Sequence, residues 1–268
     1  MANIVISRPK EQAAYLYNEI YLKGDRPIIC PFLQIVPASE NSAEAARFLS
    51  QFYKLDDIIV ISPTAAAVAT KLLSGEAVIY FGQQRFFATG QATAKALLSS
   101  DFFQPLSMNQ IIYPMFDSGA DALSSLSQLE KVAHRKIGII KGKGGPDTLQ
   151  KTLTDRGAEV FTFDLYQRMP TDFITTDGEK LDVMLMNGEV DAIIITSSEA
   201  FRYYHEWIER SPLPAVLQHK IKKIPLVVNH ENIRQLAESC GFYATVSTSA
   251  GNQAIISTLY HDVIKRDK

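Results

Sequence analysis

Cysteine is scarce: Cys30 and Cys240 are the only two in 268 residues, far apart and outside any C-x-x-C context. That excludes a disulfide scaffold and a paired-thiol redox motif, and both are expected as reduced, buried thiols. Glycine and proline are modest at 14 and 12, too few for a collagen-like or low-complexity chain. No apolar run approaches the ~18 residues of a membrane helix. The opening "MANIVISRP" enters a strand-like run without the segments of a secretory signal, so a cytoplasmic protein with no membrane association is expected. A net charge of −2 supplies no field to attract a polyanion. With no zinc-finger, RNP or basic-arm pattern either, no nucleic-acid partner is expected.

Several catalytic signatures are also missing. The histidines His134, His205, His219, His230 and His261 form no H-x-x-x-H pair, and no metal site is expected. No G-x-S-x-G elbow is present, and Ser62 or Ser197 as a nucleophile would lack a nominated histidine. The stretch "KIGIIKGKGGPDTLQ" fails as a nucleotide loop. From Gly138 to Lys143 it is one residue short of a Walker motif, and Gly144 stands where Ser or Thr should be. Asp147 replaces the third glycine of a Rossmann fingerprint.

What is present is 46% hydrophobic residues arranged as β-branched runs alternating with helical patterns. This predicts a folded α/β chain with parallel sheets, divided into two domains. Strands are predicted at Asn3–Ser7, Pro27–Phe32, Asp57–Ser62, Arg85–Thr89, Gln110–Tyr113, Lys136–Lys141, Glu159–Phe163, Asp191–Thr196, Pro225–Asn229 and Tyr243–Ser247. Most are near-continuous apolar runs, as strands covered on both faces require. The pattern repeats: "DIIVISPTAAAVATKLL" from Asp57 matches "DAIIITSSEAFRYYHEWI" 134 residues later. "NIVISRPKEQ" from Asn3 matches "KIGIIKGKGGPD" 133 residues on, and "RFFATGQATAKAL" from Arg85 more weakly matches "IPLVVNHENIRQL". An internal duplication explains all three. Pro9 and Pro146 are expected in first helical turns, and Gly24 and Gly157 at helix ends. "CPFLQIVPAS" (Cys30–Ser39) and "FTFDLYQRMP" (Phe161–Pro170) read as extended linkers.

Ligands of open parallel sheets collect beyond the carboxyl ends of the strands, where helix N-termini offer free N–H groups. Small polar or basic residues fall at those ends: Ser7-Arg8, Ser62-Pro63-Thr64, Gly90-Gln91-Ala92-Thr93, Lys141-Gly142-Lys143, Thr196-Ser197-Ser198 and Asn229. Each alone reads first as a helix cap. Recurrence at six ends points to an anionic ligand held largely by main-chain donors. Tyr166 and Arg168, an aromatic and a base on an expected linker, read either as ligand contacts or as packing at a seam.

Taken together, "ISRPKEQA", "IIVISPTAAAVA", "FFATGQATAKALLSS", "IIKGKGGPDTLQKTLTDRGAEVFTFDLYQR" and "AIIITSSEAF" resemble the uroporphyrinogen-III synthase family, in family order over essentially the whole chain. "YPMFDSGADALSSLSQLE" resembles the segment that bacterial members place before the glycine-rich strand. The resemblance implies two flavodoxin-like parallel-sheet domains (HemD-like), each of five strands, joined by a two-stranded linker with a cleft between them. Residues 1–37 with 166–268 would form a discontinuous domain around 38–165, with 30–39 and 161–170 as paired linker strands.

The implied reaction closes hydroxymethylbilane, a carboxylate-rich linear tetrapyrrole, to uroporphyrinogen III, with loss of water, inversion of ring D through a spiro intermediate, and no cofactor. It implies Tyr166 as the catalytic group, whose phenolic O–H can donate a hydrogen bond to the leaving hydroxyl. Substrate contacts are expected from Arg8, Ser62, Pro63, Gln91, Thr93, Lys141, Gly142, Arg168, Ser197, Ser198 and Asn229, with the Gly142–Gly145 amides open to carboxylates. The chain departs from the family pattern at Asn229-His230-Glu231-Asn232, where a G-P-x-T turn is usual, and at Lys141 and Pro146, where bacterial relatives often carry arginine. A monomer is expected, and a transient contact with hydroxymethylbilane synthase stays open. Two other readings stand beside this one: a non-catalytic two-lobed small-molecule binder, and a nucleotide-sugar transferase, for which no diphosphate clamp or metal-binding acid pair is visible.

Overall fold

The structure is a computed structural model that describes residues 1–74, 84–99, 103, 106–115 and 119–264. Ser100 and residues 116–118, which belong to two of the stretches quoted above, lie outside the described residues. The strands are β1 (Asn3–Ile6), β2 (Arg26–Ile29), β3 (Leu33–Pro37), β4 (Asp57–Val60), β5 (Arg85–Ala88), β6 (Ile111–Ile112), β7 (Lys136–Gly142), β8 (Glu159–Pro170), β9 (Ala192–Ile195), β10 (Leu226–Val228) and β11 (Ala244–Val246). All ten predicted strands form. The chain divides into two compact units, Met1–Gln34 with Met169–Lys268, and Ile35–Arg168.

One sheet runs in the order β11-β10-β9-β1-β2, and its pairs are parallel. Alternate residues along each strand face opposite sides, which explains the unbroken apolar runs. Val5, Ile193, Ile195, Leu226 and Val228 enter one core with Phe201, Tyr204 and Ile208 of the helix Ser198–Arg210. Ile4, Ile6, Ile194 and Val227 enter another, with Leu16 and Ile20 of the helix Lys10–Leu22 and Ile255 of the helix Asn252–Thr258.

The other sheet runs β3-β8-β7-β4-β5-β6. It has six strands instead of the expected five, because Leu33–Pro37 is recruited as an edge strand beside β8. Its flanking prolines hide it from a reading based on apolar runs, yet a strand edge tolerates proline. Here Ile58, Val60, Phe86, Ala88 and Ile140 face one core, and Ile59, Phe87, Ile137 and Ile139 the other.

The three repeat pairs occupy equivalent places. β1 and β7, β9 and β4, and β10 and β5 hold matching positions in the two sheets, and β2 and β8, β11 and β6 complete the correspondence. The edge strand β3 aside, each sheet therefore takes two strands from one repeat copy and three from the other.

The helix ends show the same equivalence. Gly24 and Gly157 adopt φ of +80° and +84° just after their helices. In both, a Schellman pair of bonds closes the turn: Asp25 N to Ile20 O with Gly24 N to Tyr21 O, and Ala158 N to Leu153 O with Gly157 N to Thr154 O. The prolines sit slightly earlier than expected. Pro9 is the residue before its helix, and Pro146 precedes Asp147, which itself precedes the helix Thr148–Asp155. Cys30 is buried, whereas Cys240 is half-exposed at the end of a helix, which corrects the expectation for the second thiol.

Candidate functional site

Each sheet has a topological switch point, the gap where successive crossovers depart in opposite directions and ligands of this architecture settle. In the unit Ile35–Arg168, β4 leads to β5 on one side and β7 to β8 on the other. Beyond the carboxyl ends of β4 and β7 opens a cleft of about 450 Å³, lined in part by Ser62, Lys141, Gly142, Thr148, Tyr166 and Arg168. That volume falls within the usual range for small-molecule sites.

Ser62 enters the cleft because it caps the helix Pro63–Leu73, accepting the Ala65 N–H at 3.0 Å, with Pro63 at the first helical position. Capping and site location therefore coincide. The same oxygen lies 3.1 Å from the Tyr166 hydroxyl. Tyr166 is brought there by a bulge: Lys141 pairs with Asp164, but the next residue, Gly142, pairs with Tyr166, leaving Leu165 as the extra residue. The bulge breaks strict alternation, so Leu165 and Tyr166 are both buried, Tyr166 to 4% exposure. Its ring lies so close to Gly142 that an added Cβ would sit 2.5 Å from Cζ. Glycine is required there by close approach.

Arg168, two residues on, places its guanidinium carbon 5.7 Å from the Tyr166 ring centroid and Nη2 3.5 Å from the hydroxyl. Arginine can only donate, so any bond it makes to the phenol oxygen leaves the phenolic proton free for another acceptor.

Lys141 is already engaged. Its Nζ donates to Asp147 Oδ1 at 2.9 Å and approaches Gly145 O at 3.5 Å. The lysine side chain is 12% exposed and the aspartate 58%, so the acid reaches in from the turn to meet the base. The hydrogen bond and charge of Lys141 hold the Asp147 carboxyl below the usual carboxylate range. An incoming carboxylate has to share or displace this partner. The expectation of open Gly142–Gly145 amides also needs correction, since the Lys143 N–H donates to Tyr166 O at 2.8 Å.

Thr93 is buried inside the helix Gln91–Leu98, its hydroxyl 3.3 Å from that of Thr89, away from the cleft lining. Gln91 is exposed at the first position of that helix.

The unit Met1–Gln34 with Met169–Lys268 has its own switch point, where β1 leads to β2 and β9 to β10. Arg8 follows β1 and Thr196 follows β9. Arg8 Nε donates to Thr196 Oγ1 at 2.8 Å and Nη1 to Asn252 Oδ1 at 2.7 Å. Partial burial lowers the Arg8 pKa from its ordinary value. Ser197 caps the helix Ser198–Arg210, accepting the Ala200 N–H at 3.3 Å, and Ser198 is that helix's first residue. Asn229 follows β10 and keeps its Oδ1 buried, without a hydrogen-bond partner among the described residues.

Asp147, Thr148 and Asn252 escape a reading of the sequence. Only the six-residue spacing of Lys141 and Asp147 across a glycine turn hints at any of them. Asn252 begins a helix after the last strand and reads from sequence as an ordinary helix start.

The family model described as "Uroporphyrinogen-III synthase HemD" matches residues 16–257. The chain is 27% identical over 262 residues to a uroporphyrinogen-III synthase of Salmonella typhimurium strain LT2, spanning 96% of this chain and 99% of the relative. It is 25% identical over 258 residues to that of Escherichia coli strain K12, again 96% and 99%. Among solved structures, a mutant uroporphyrinogen III synthase from the extremely thermophilic bacterium Thermus thermophilus aligns at a TM-score of 0.60 with 13% identity, covering 97% of both chains.

Proposed function

Because the chain belongs to the uroporphyrinogen-III synthase HemD family, matched over residues 16–257, we propose that it closes hydroxymethylbilane to uroporphyrinogen III. The family match carries this reading, and the fold shared with a solved synthase supports it. Water is lost and ring D is inverted. In the proposed course, the terminal hydroxyl departs to leave an azafulvene cation, which attacks ring D at its substituted carbon. In the resulting spiro intermediate the bond from that carbon to its original methylene breaks, and the freed methylene bonds to the unsubstituted carbon of ring D, which loses its proton to give the type III isomer. No cofactor is called for. The bilane cyclises unaided without inversion, so the protein has to hold the productive conformation and favour its transition state.

Tyr166 is proposed to donate its phenolic proton in a hydrogen bond to the leaving hydroxyl, with Arg168 as a donor beside its oxygen and Ser62 as its neighbour in the free protein. Lys141, Gly142, Ser62, Pro63, Gln91 and Arg168 in one unit, and Arg8, Ser197, Ser198 and Asn229 in the other, are proposed as substrate contacts, because all lie at carboxyl strand ends. Thr93 supports the turn behind Gln91 through its hydroxyl on Thr89. Among the described residues no helix is long and apolar enough to cross a membrane. A cytoplasmic monomer, with at most transient contact to hydroxymethylbilane synthase, is the setting proposed.

The test supplies hydroxymethylbilane in situ to the purified protein, oxidises the product and resolves the porphyrin isomers. Type III is expected. Type I alone, matching the control without protein, overturns the reading.

A further inference from the structure

Three strand-to-helix turns of one unit converge on a single guanidinium. Arg8 comes from the turn after β1, Thr196 from the turn after β9, and Asn252 opens the helix Asn252–Thr258 that follows β11. The first two flank the switch point, where this architecture places ligands. Both partners of Arg8 are neutral oxygens, at 2.8 Å on Nε and 2.7 Å on Nη1. Among the described residues no carboxylate forms an ion pair with it.

This holds a partly buried cation without neutralising it. A guanidinium taken out of water is normally matched by an acid, since an uncompensated charge is costly there. Elsewhere in this chain Arg85 and Arg135 show that matching, both meeting Asp57, while Arg156 is held by the carbonyls of Ser124 and Leu129, away from either switch point. At Arg8, a hydroxyl and an amide oxygen fix the fork in place but leave its charge unmatched. They occupy two of its five N–H donors, so three remain to meet an anion.

We infer that Asn252, together with Thr196, is a positioning residue that presets the Arg8 guanidinium for a carboxylate of the substrate. This rests on the reading above, that the substrate is a polycarboxylate bound in part by Arg8. The clamp is selective by being neutral: an acid in either place would orient the arginine equally well and then compete with the substrate for it.

Asn252→Asp tests this, because it keeps the acceptor and nearly the same shape while adding the charge. The full chain is assayed for type III formation, with KM and kcat determined separately and Tm measured alongside. KM is expected to rise about tenfold, the scale of one charge-assisted hydrogen-bonded contact, with kcat within about twofold. Tm is expected to hold or rise, since an aspartate in a first helical turn is favourable. An unchanged KM in folded protein, or a fall in kcat with KM unmoved, overturns the inference. Should Asn252→Asp not fold, Thr196→Val removes the Nε acceptor without adding charge. There a KM rise of about threefold is expected, and an unchanged KM overturns it. A wild-type chain yielding only type I would instead sink the substrate reading, and the clamp with it.

Discussion

Tyr166 Oη has Ser62 Oγ at 3.1 Å and Arg168 Nη2 at 3.5 Å, so the phenol sits between a hydroxyl and a cation with its ring buried. Removing only that oxygen in Tyr166→Phe leaves the ring packing intact. We expect kcat to fall about tenfold, the worth of one hydrogen bond made to a developing charge, with cooperative unfolding retained. An unchanged type III rate removes Tyr166 from the mechanism. Gly142→Ala attacks the same group from behind, because the new Cβ would meet the Tyr166 ring at 2.5 Å. Overpacking of this kind costs about 1–3 kcal/mol. A lower Tm together with a larger activity loss than Tyr166→Phe is expected, since the whole ring must move. Tyr166 and Ser62 are legible from sequence because each sits in a motif. Asp147 is not, since its importance comes from meeting Lys141 across a turn, and Asn252 is not, since its partner lies 244 residues away.

At the scale of elements, buried parallel strands announce themselves: Ile58–Val60 of β4 and Ala192–Ile195 are apolar on both faces because cores lie on both sides. β3 and the distal half of β8 read as linkers in the sequence, since Pro37 and Pro170 obscure strands that lie at or near an edge. The amino ends of β4, β5 and β7 are joined by a single acid. Asp57, fully buried, receives Nε and Nη2 of Arg85 at 2.6 and 2.7 Å, and the same atoms of Arg135 at 2.6 and 2.7 Å. Burial is the largest single influence and opposes ionisation. The hydrogen bonds and charges of the two arginines together outweigh it, holding the carboxyl below the usual carboxylate range. Its stabilising contribution is therefore complete above the ordinary value of about 3.9 and is lost as pH falls through the lower folded value. Asp57→Asn should cost about 3 kcal/mol at neutral pH, the low end for breaking a buried pair, because the arginine side chains keep 31% and 32% of their surface in water. Denaturant titrations at pH 7 and pH 3 check this: the deficit of the variant should shrink at the lower pH, and a pH-independent deficit would contradict it.

For the whole molecule, the duplication and the units cut the chain differently. The repeat pairs sit 133 and 134 residues apart, near the chain's midpoint. Yet β1 and β2 pair with β9, β10 and β11 of the second copy, while β4, β5 and β6 of the first copy complete the sheet of β7 and β8. Sequence similarity shows that copies exist but not which strands they exchange, because either arrangement buries the same apolar faces. The two possibilities predict opposite behaviour in fragments. Residues 1–133 and 134–268, one repeat copy each, would leave every sheet open at its switch point, with the continuous apolar faces of β1, β4, β7 and β9 exposed along unpaired edges. Each should be unfolded or aggregated alone, with folding recovered on co-expression. The segment Ile35–Arg168 holds the six-stranded sheet, short of the first two residues of β3 and the last two of β8, together with both of its cores, and should fold by itself with a single cooperative transition. Its complement can be closed by a linker of a few residues, because Gln34 Nε2 reaches Pro170 O at 3.1 Å. Circular dichroism and denaturant unfolding of these fragments distinguish the cases: a folded 1–133 beside an unfolded 35–168 would mean that each copy builds its own sheet and that the exchange is wrong.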